Sequence, residues 1–374
     1  MAALVPGSAT AEGTKRYAAR LAARVAPGHF GDLDGLTVST VGIGTYLGRE
    51  DAETDVAYQD ALVRALELGL NVIDTAVNYR HQRSERAIRA ALGTAFARGL
   101  ARRDEIVVAT KGGYIPFDGA VPRDPRAWFT QTYLDTGIVG PGDMAGGIHC
   151  VAPRYLADQI ERSRANLGLE TLDVYYVHNP EAQLEELERP AFLGRMRAAF
   201  ETLERAVREG TIGRYGTATW NGFREDPGAP GHLSLEELVG AARDVGGADH
   251  HFKALQLPYN LAMPEAFVRA TQSVGGALVP LTEAARRLGV YVMASASILQ
   301  GQLAKNLPPM VAANLPGLAT DAQRAVQFVR STPGIGTALV GMKSIAHVEE
   351  SAGVAAVPPR AWTEFQRFFA AAGS

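Results

Sequence analysis

Short β-rich runs alternate with helix-like stretches about eight times from Leu36 almost to the end of this chain, and that rhythm leaves few folds open. The strand-like runs are 37–45, 71–75, 105–111, 172–178, 213–217, 252–256, 290–294 and 337–340. Between them lie helical patterns at 55–68, 84–100, 152–167, 192–209, 234–245, 281–288 and 319–331. Several begin near Asp, Ser or Thr or end in glycine, as helices should. Repeated strand–helix units build a parallel sheet, and eight of them closing on themselves make a single-domain α/β fold, the (β/α)8 or TIM barrel. A doubly wound sheet would need a glycine fingerprint after its first strand. Gly42-Ile-Gly44-Thr-Tyr-Leu-Gly48 has the wrong third spacing, and no acidic partner follows it. The barrel is the expected fold.

At 374 residues the chain has room for such a barrel with insertions. One segment breaks the rhythm: 112–151, after the third strand, is long, turn-rich and carries Tyr114, Phe117, Trp128, Phe129, Tyr133, His149 and Cys150. Loops of that length inside a compact domain are uncommon and often functional, so a flap or wall over a site is expected. Residues 1–35 read as an amino-terminal extension before the barrel of 36–374. Its basic run from Thr14 to Arg24 has the alanine and arginine content of a transit peptide or of a surface helix, and lacks the apolar core of a secretory signal. Net charge of −3 argues against a nucleic-acid partner, and no apolar run approaches membrane-spanning length. The single cysteine, Cys150, fits a reducing compartment, so a cytoplasmic location is expected. Oligomeric state is not legible. Asp249-His250-His251 lacks further zinc-spaced ligands, and Gly275-Gly276 reads as a turn.

Four ionisable residues stand where strands give way to loops: Asp74 and Tyr79 around the second strand, Lys111 at the end of the third, His178 at the end of the fourth. Catalytic groups of such barrels gather at the carboxyl ends of the strands. A phenol is a poor proton donor near neutrality; an ammonium beside it lowers its pKa, and a carboxylate keeps the ammonium charged. An imidazole can hold a substrate oxygen as negative charge develops. Taken singly, Asp74 reads as a turn cap, Lys111 as a surface ion-pair partner and His178 as a satisfied half-buried histidine.

Together, Val72-Ile-Asp-Thr-Ala-Val-Asn-Tyr79, Ala109-Thr-Lys111 and Tyr176-Val-His178-Asn-Pro180 resemble the tetrad segments of the aldo-keto reductases, over about Leu36 to Ser351. The resemblance implies NADPH-dependent reduction of an aldehyde or ketone, with NADH a possible substitute. Tyr79 would donate the proton, Lys111 and Asp74 would tune it, and His178 would orient the carbonyl. For the cofactor it implies Gly44, Thr45 and Tyr46 near the nicotinamide ribose. Thr219 and Gln256 would meet the carboxamide, and Ser295 stands where a stacking aromatic is usual. Lys343, Ser344, His347, Glu350 and Ser351 would meet the adenosine phosphate, with Lys343 on the 2′-phosphate. Substrate contacts are expected from Tyr46, Trp128 or Phe129, Trp220 and the insertion. The alternative is a non-turnover NADPH-binding redox sensor or partner module on the same barrel.

Overall fold

The computed structural model describes residues 3–370. Eight strands close into a barrel in which every neighbouring pair is parallel: β1 (Val41–Gly44), β2 (Val72–Asp74), β3 (Val107–Gly112), β4 (Leu172–His178), β5 (Ile212–Ala218), β6 (Phe252–Pro258), β7 (Tyr291–Ser295) and β8 (Thr337–Gly341). The principal outer helices are α1 (Ala52–Glu67), α2 (Arg83–Ala97), α3 (Pro153–Leu167), α4 (Arg189–Arg208), α5 (Leu235–Gly246), α6 (Leu281–Leu288), α7 (Asp321–Ser331) and α8 (Ile345–Ala352). Side-chain oxygens of Asp51, Ser234, Thr320 and Ser344 cap α1, α5, α7 and α8, each accepting from the third backbone N–H beyond it.

Strands buried on both faces explain the near-continuous apolar runs. Alternate residues face opposite ways. Val72, Val107, Ala109, Val174, Tyr176, Ala218, Ala254, Met293 and Leu339 pack together inside the barrel. Ile73, Val108, Tyr175, Val177 and Leu255 belong instead to the larger core between strands and helices.

The expected first strand is divided. Leu36–Ser39 pairs antiparallel with Phe30–Leu33, and only Val41–Gly44 enters the barrel. The break falls at Thr40, whose backbone N–H and hydroxyl both donate to the His29 carbonyl. Leu33, Leu36 and Val38 of this hairpin join the inner core and close the barrel's amino-terminal end. The expected boundary at 35/36 therefore lies in the hairpin turn. Ahead of it, the helix Ala11–Leu21 docks through Arg16 and Arg20, both paired with the fully buried carboxylate of Glu105. A second hairpin, Ala270–Val274 with Ala277–Pro280, turns at Gly275-Gly276 between β6 and α6.

The insertion after β3 has structure of its own. A helix at Pro125–Phe129 runs into a wide turn at Thr130–Leu134, and Met144–Ala145 pairs with His149–Cys150. Tyr133, Val139, Cys150 and Ala152 bury against Tyr155 of α3 to form a small separate core. No helix among the described residues is long and apolar enough to cross a membrane.

Candidate active site

The alternation that fills the barrel also aims the site. Counting by twos from the inner core, the last inward position of each strand is Gly44, Asp74, Lys111, His178, Ala218, Gln256, Ser295 and Gly341. These form the top layer, at the carboxyl ends of the strands, held by registers such as Gly44 opposite Asp74 and His178 opposite Ala218. All but Lys111 line one cavity.

Lys111 is fully buried just beneath it. Its Nζ donates to Asp74 Oδ1 at 2.8 Å, Asp74 Oδ2 at 2.9 Å and the Thr75 carbonyl at 2.7 Å. Three acceptors around one nitrogen call for three N–H donors, which only the ammonium has. Burial lowers the lysine pKa and Asp74 opposes that shift. Gln256 Nε2 donates to Asp74 Oδ1 at 2.8 Å. Every lysine donor is thus taken, and none reaches the Tyr79 hydroxyl. The ammonium lies instead over the Tyr79 ring, 4.9 Å from its centroid, a cation–π contact.

This arrangement corrects one expectation. The Tyr79 phenol is held well above its ordinary pKa, first by burial, then by the charge of Asp74 and by Tyr46 and Tyr114. The lysine sits beside it, but its charge is spent on Asp74. The phenol is therefore protonated throughout the neutral range. His178 is pushed well below its ordinary pKa, first by burial and then by the Lys111 charge, so it is neutral. Its ring lies 6.0 Å from that of Tyr79, centroid to centroid.

Tyr79 is presented by an unusual turn. Arg80, His81 and Gln82 all have left-handed backbones, at φ 49°, 53° and 71°. Three such non-glycine residues in a row persist only where their surroundings hold them. The buried Arg80 guanidinium does so, donating to the Arg49 carbonyl at 2.8 Å and to Asp55 Oδ1 at 2.6 Å. Gln82 adds a bond from Nε2 to the Phe117 carbonyl.

The cavity measures about 760 Å³ and runs from Tyr79 and His178 to Lys343, His347, Glu350 and Ser351 beside α8. Tyr46 and Trp220, 57% and 45% exposed, stand at its mouth. Thr219 also lines it, and its buried hydroxyl has no hydrogen-bond partner among the described residues. Of the other residues singled out from sequence, Thr45 lies beneath the lining, its hydroxyl donating to the Asp74 carbonyl at 3.2 Å. Ser344 is occupied as the cap of α8. Trp128 and Phe129 do not line the cavity; both rings pack on Tyr133 inside the insertion's own core. The insertion lines the cavity with Tyr114 instead, whose ring lies 5.1 Å from His178 and whose hydroxyl accepts from Asn179 Nδ2 at 3.0 Å. Asn179 was legible in the His-Asn-Pro segment, Tyr114 only as one aromatic among several. The wall from Ala296 to Gly301 was not legible. Ala296, Leu299 and Gln300 take left-handed backbones without the glycine or asparagine that usually announces them.

Fold and site together define a parallel (β/α)8 barrel whose carboxyl-end mouth holds a buried acid–amine–phenol–imidazole cluster beside a long cavity. Residues 40–224, just under half of the chain, match the model of the aldo/keto reductase family. Over 155 residues it is 27% identical to the (1S)-1,7-diacetoxy-luvungin A aldo-keto reductase of Citrus sinensis, a match spanning 41% of this chain and 36% of that protein's length. Among solved structures, an aldo/keto reductase from Klebsiella pneumoniae in complex with NADP and acetate superposes with a TM-score of 0.59 at 21% identity, covering 90% of this chain and 93% of that one. An aldo-keto reductase from Bacillus halodurans in its holo form gives 0.62 at 18%, covering 91% and 95%. The glycerol dehydrogenase of Gluconobacter oxydans gives 0.62 at 17%, covering 92% and 95%. At these identities the structural likeness speaks for the fold.

Proposed function

We propose that this protein is an NADPH-dependent reductase of aldehydes or ketones, with Tyr79 as proton donor. The observation that carries the reading is the single cavity joining the Tyr79–His178 corner to the Lys343 end, with an unpartnered Thr219 hydroxyl between. A dinucleotide suits that shape. Thr219 and the free oxygen of Gln256 offer partners to a carboxamide, and Lys343 offers a cation to a phosphate. The Klebsiella relative's complex with NADP is in keeping with this assignment. When bound, the cofactor supplies the hydride.

The residues of this chain do the rest. His178, neutral, donates a hydrogen bond to the carbonyl oxygen, and Tyr79 stands 6.0 Å away, ring to ring, on the other side. As the oxygen becomes an alkoxide, the Tyr79 proton moves to it, because a phenol is a stronger acid than an alcohol even when burial raises its pKa. Lys111 stabilises the resulting phenolate through the ring face, and Asp74 with Gln256 fixes Lys111 in place. Tyr46, Tyr114 and Trp220 frame an aromatic mouth that favours apolar or ring-bearing substrates. The test is direct: incubate the protein with NADPH and a panel of aldehydes, following loss of the reduced-nicotinamide absorbance. Multiple turnovers support the reductase; tight binding without turnover overturns it in favour of a cofactor-binding sensor.

A further inference from the structure

The insertion reaches the site by a second route. His149 Nε2 lies 2.6 Å from the carbonyl oxygen of His178. A carbonyl only accepts, so Nε2 carries the hydrogen and Nδ1 is left as an acceptor. Gln183 Nε2 donates to that Nδ1 at 2.7 Å. The amide is itself oriented from behind, since its Oε1 accepts from Arg195 Nη1. Arg195 also binds the insertion, donating from Nη2 to the Gly142 carbonyl at 2.8 Å. Each link dictates the next: guanidinium to amide oxygen, amide nitrogen to imidazole, imidazole to carbonyl. A doubly protonated His149 would set its Nδ1–H against the amide NH2, and turning the amide over would set that NH2 against Arg195.

The approach is close enough to demand a glycine. A Cβ on Gly113 would fall 2.6 Å from the His178 oxygen and 2.9 Å from His149 Nε2. Asn179, the next residue after His178, is left-handed at φ 43° and turns the peptide so that its carbonyl faces His149. Tyr114 fills the angle between the two imidazoles, 5.0 Å from His149 and 5.1 Å from His178. Burial brings the His149 pKa down to about 4, in keeping with a neutral ring. The His178 Nδ1 is buried with no partner among the described residues, so no side-chain bond from them at that nitrogen sets the ring's angle.

We propose that His149, locked as its Nε2–H tautomer by Gln183 and Arg195, is a positioning residue that clamps the His178 peptide and so sets the aim of the His178 ring. The insertion after β3 is then part of the reducing machinery as well as a wall beside it. This role in turnover rests on the reductase reading, whereas the clamp itself does not.

Two measurements separate them. Imidazole 1H–15N correlation spectra of the cofactor-free protein should show His149 as a single Nε2–H tautomer that does not titrate between pH 5 and 8. His149→Ala should displace the His178 ring signals in the same spectra. A His149 that titrates in that range, or His178 signals that stay put, overturns the clamp whether or not the protein turns over carbonyls. In kinetics, His149→Ala should lower kcat at least tenfold, since small misplacements of catalytic groups cost up to about a hundredfold. The NADPH dissociation constant should stay within about twofold, because the cofactor-facing residues lie elsewhere. His149→Gln, which can still donate to the carbonyl, should recover most of the loss. Equal kcat in His149→Ala and wild type, or no difference between the alanine and glutamine variants, refutes the positioning role. Should His149→Ala fail to fold, Gln183→Met removes the donor to Nδ1 and should lower kcat with unchanged NADPH binding; an unaltered kcat there overturns the proposal equally. Absence of wild-type turnover sinks the reductase reading and leaves the spectra to decide the clamp.

Discussion

At the residue scale the site is ruled by where donors are spent. Lys111 gives all three to Asp74 and Thr75, so its effect on Tyr79 passes through the ring face. Tyr79→Phe keeps the ring, the cation–π contact and the cavity shape and removes only the proton. General acid catalysis is worth about 10²–10⁴-fold, so kcat should fall by that much with NADPH affinity unchanged. Retention of more than a tenth of kcat, with chemistry rate-limiting, removes Tyr79 from the role of donor. At the cavity's other end Lys343 is exposed, so a contact there with a 2′-phosphate would be screened by salt. Lys343→Ala should weaken NADPH about tenfold and leave NADH nearly unchanged, the usual size for one charge-assisted contact. Fluorescence quenching with both cofactors at two ionic strengths checks it. Equal losses for the two would make Lys343 an ordinary surface lysine.

At the scale of elements, the insertion behaves as a small domain within the barrel. Its core is built on Tyr133, with Trp128, Phe129 and Tyr155 around it and Cys150 fully buried alongside. Cys150 is the chain's single cysteine, and burial pushes its thiol pKa up to about 12, so labelling of it reports opening of this core. Truncating a large buried aromatic costs about 3–5 kcal/mol. If the insertion opens as a unit, Tyr133→Ala should raise the opening equilibrium, and the Cys150 labelling rate, by at least about a hundredfold. An unchanged rate would mean that the thiol is shielded by something other than this core. Existence of the insertion was legible from its length and aromatic content. Its internal assignment was not, because nothing local distinguishes an aromatic that turns inward on Tyr133 from one that faces the cavity. Trp128 and Tyr114 differ only in what the folded chain sets beside them.

Across the whole molecule, buried histidines such as His29 and His149 tie stability to pH. His29, fully buried near the closed end of the barrel, donates from Nε2 to the Gly69 carbonyl at 3.0 Å. Burial lowers the pKa of His29 and of His149 to about 4 in each case. Both fall below the unfolded value near 6.5, so the unfolded chain takes up these protons first. Their contribution is fully present above about pH 6.5 and is lost as pH falls towards 4, by roughly 3 kcal/mol each at most. Urea midpoints should therefore drop between pH 7.5 and pH 5. His29→Gln, which keeps a donor for Gly69 and does not titrate, should reduce that dependence by the His29 share. A midpoint equal at the two pH values would show that these rings protonate in place.

Strand–helix rhythm, the helix caps and the inward parity of Asp74, Lys111, His178 and Gln256 are local properties, set by residues a few positions apart, and the sequence alone determined them. Register across the closed sheet is different in kind. The bond from Gln256 to Asp74 joins residues 182 apart, and that from Lys111 to Asp74 joins residues 37 apart. Such contacts exist only once the barrel has closed and the entropy of closing those loops has been met. Closure decided that Lys111 lies under the cavity, that its donors leave the phenol protonated, and that a histidine of the insertion holds the carbonyl of His178. A side chain's partners depend on which neighbours the closed barrel brings within hydrogen-bonding distance, and no short window of sequence contains them.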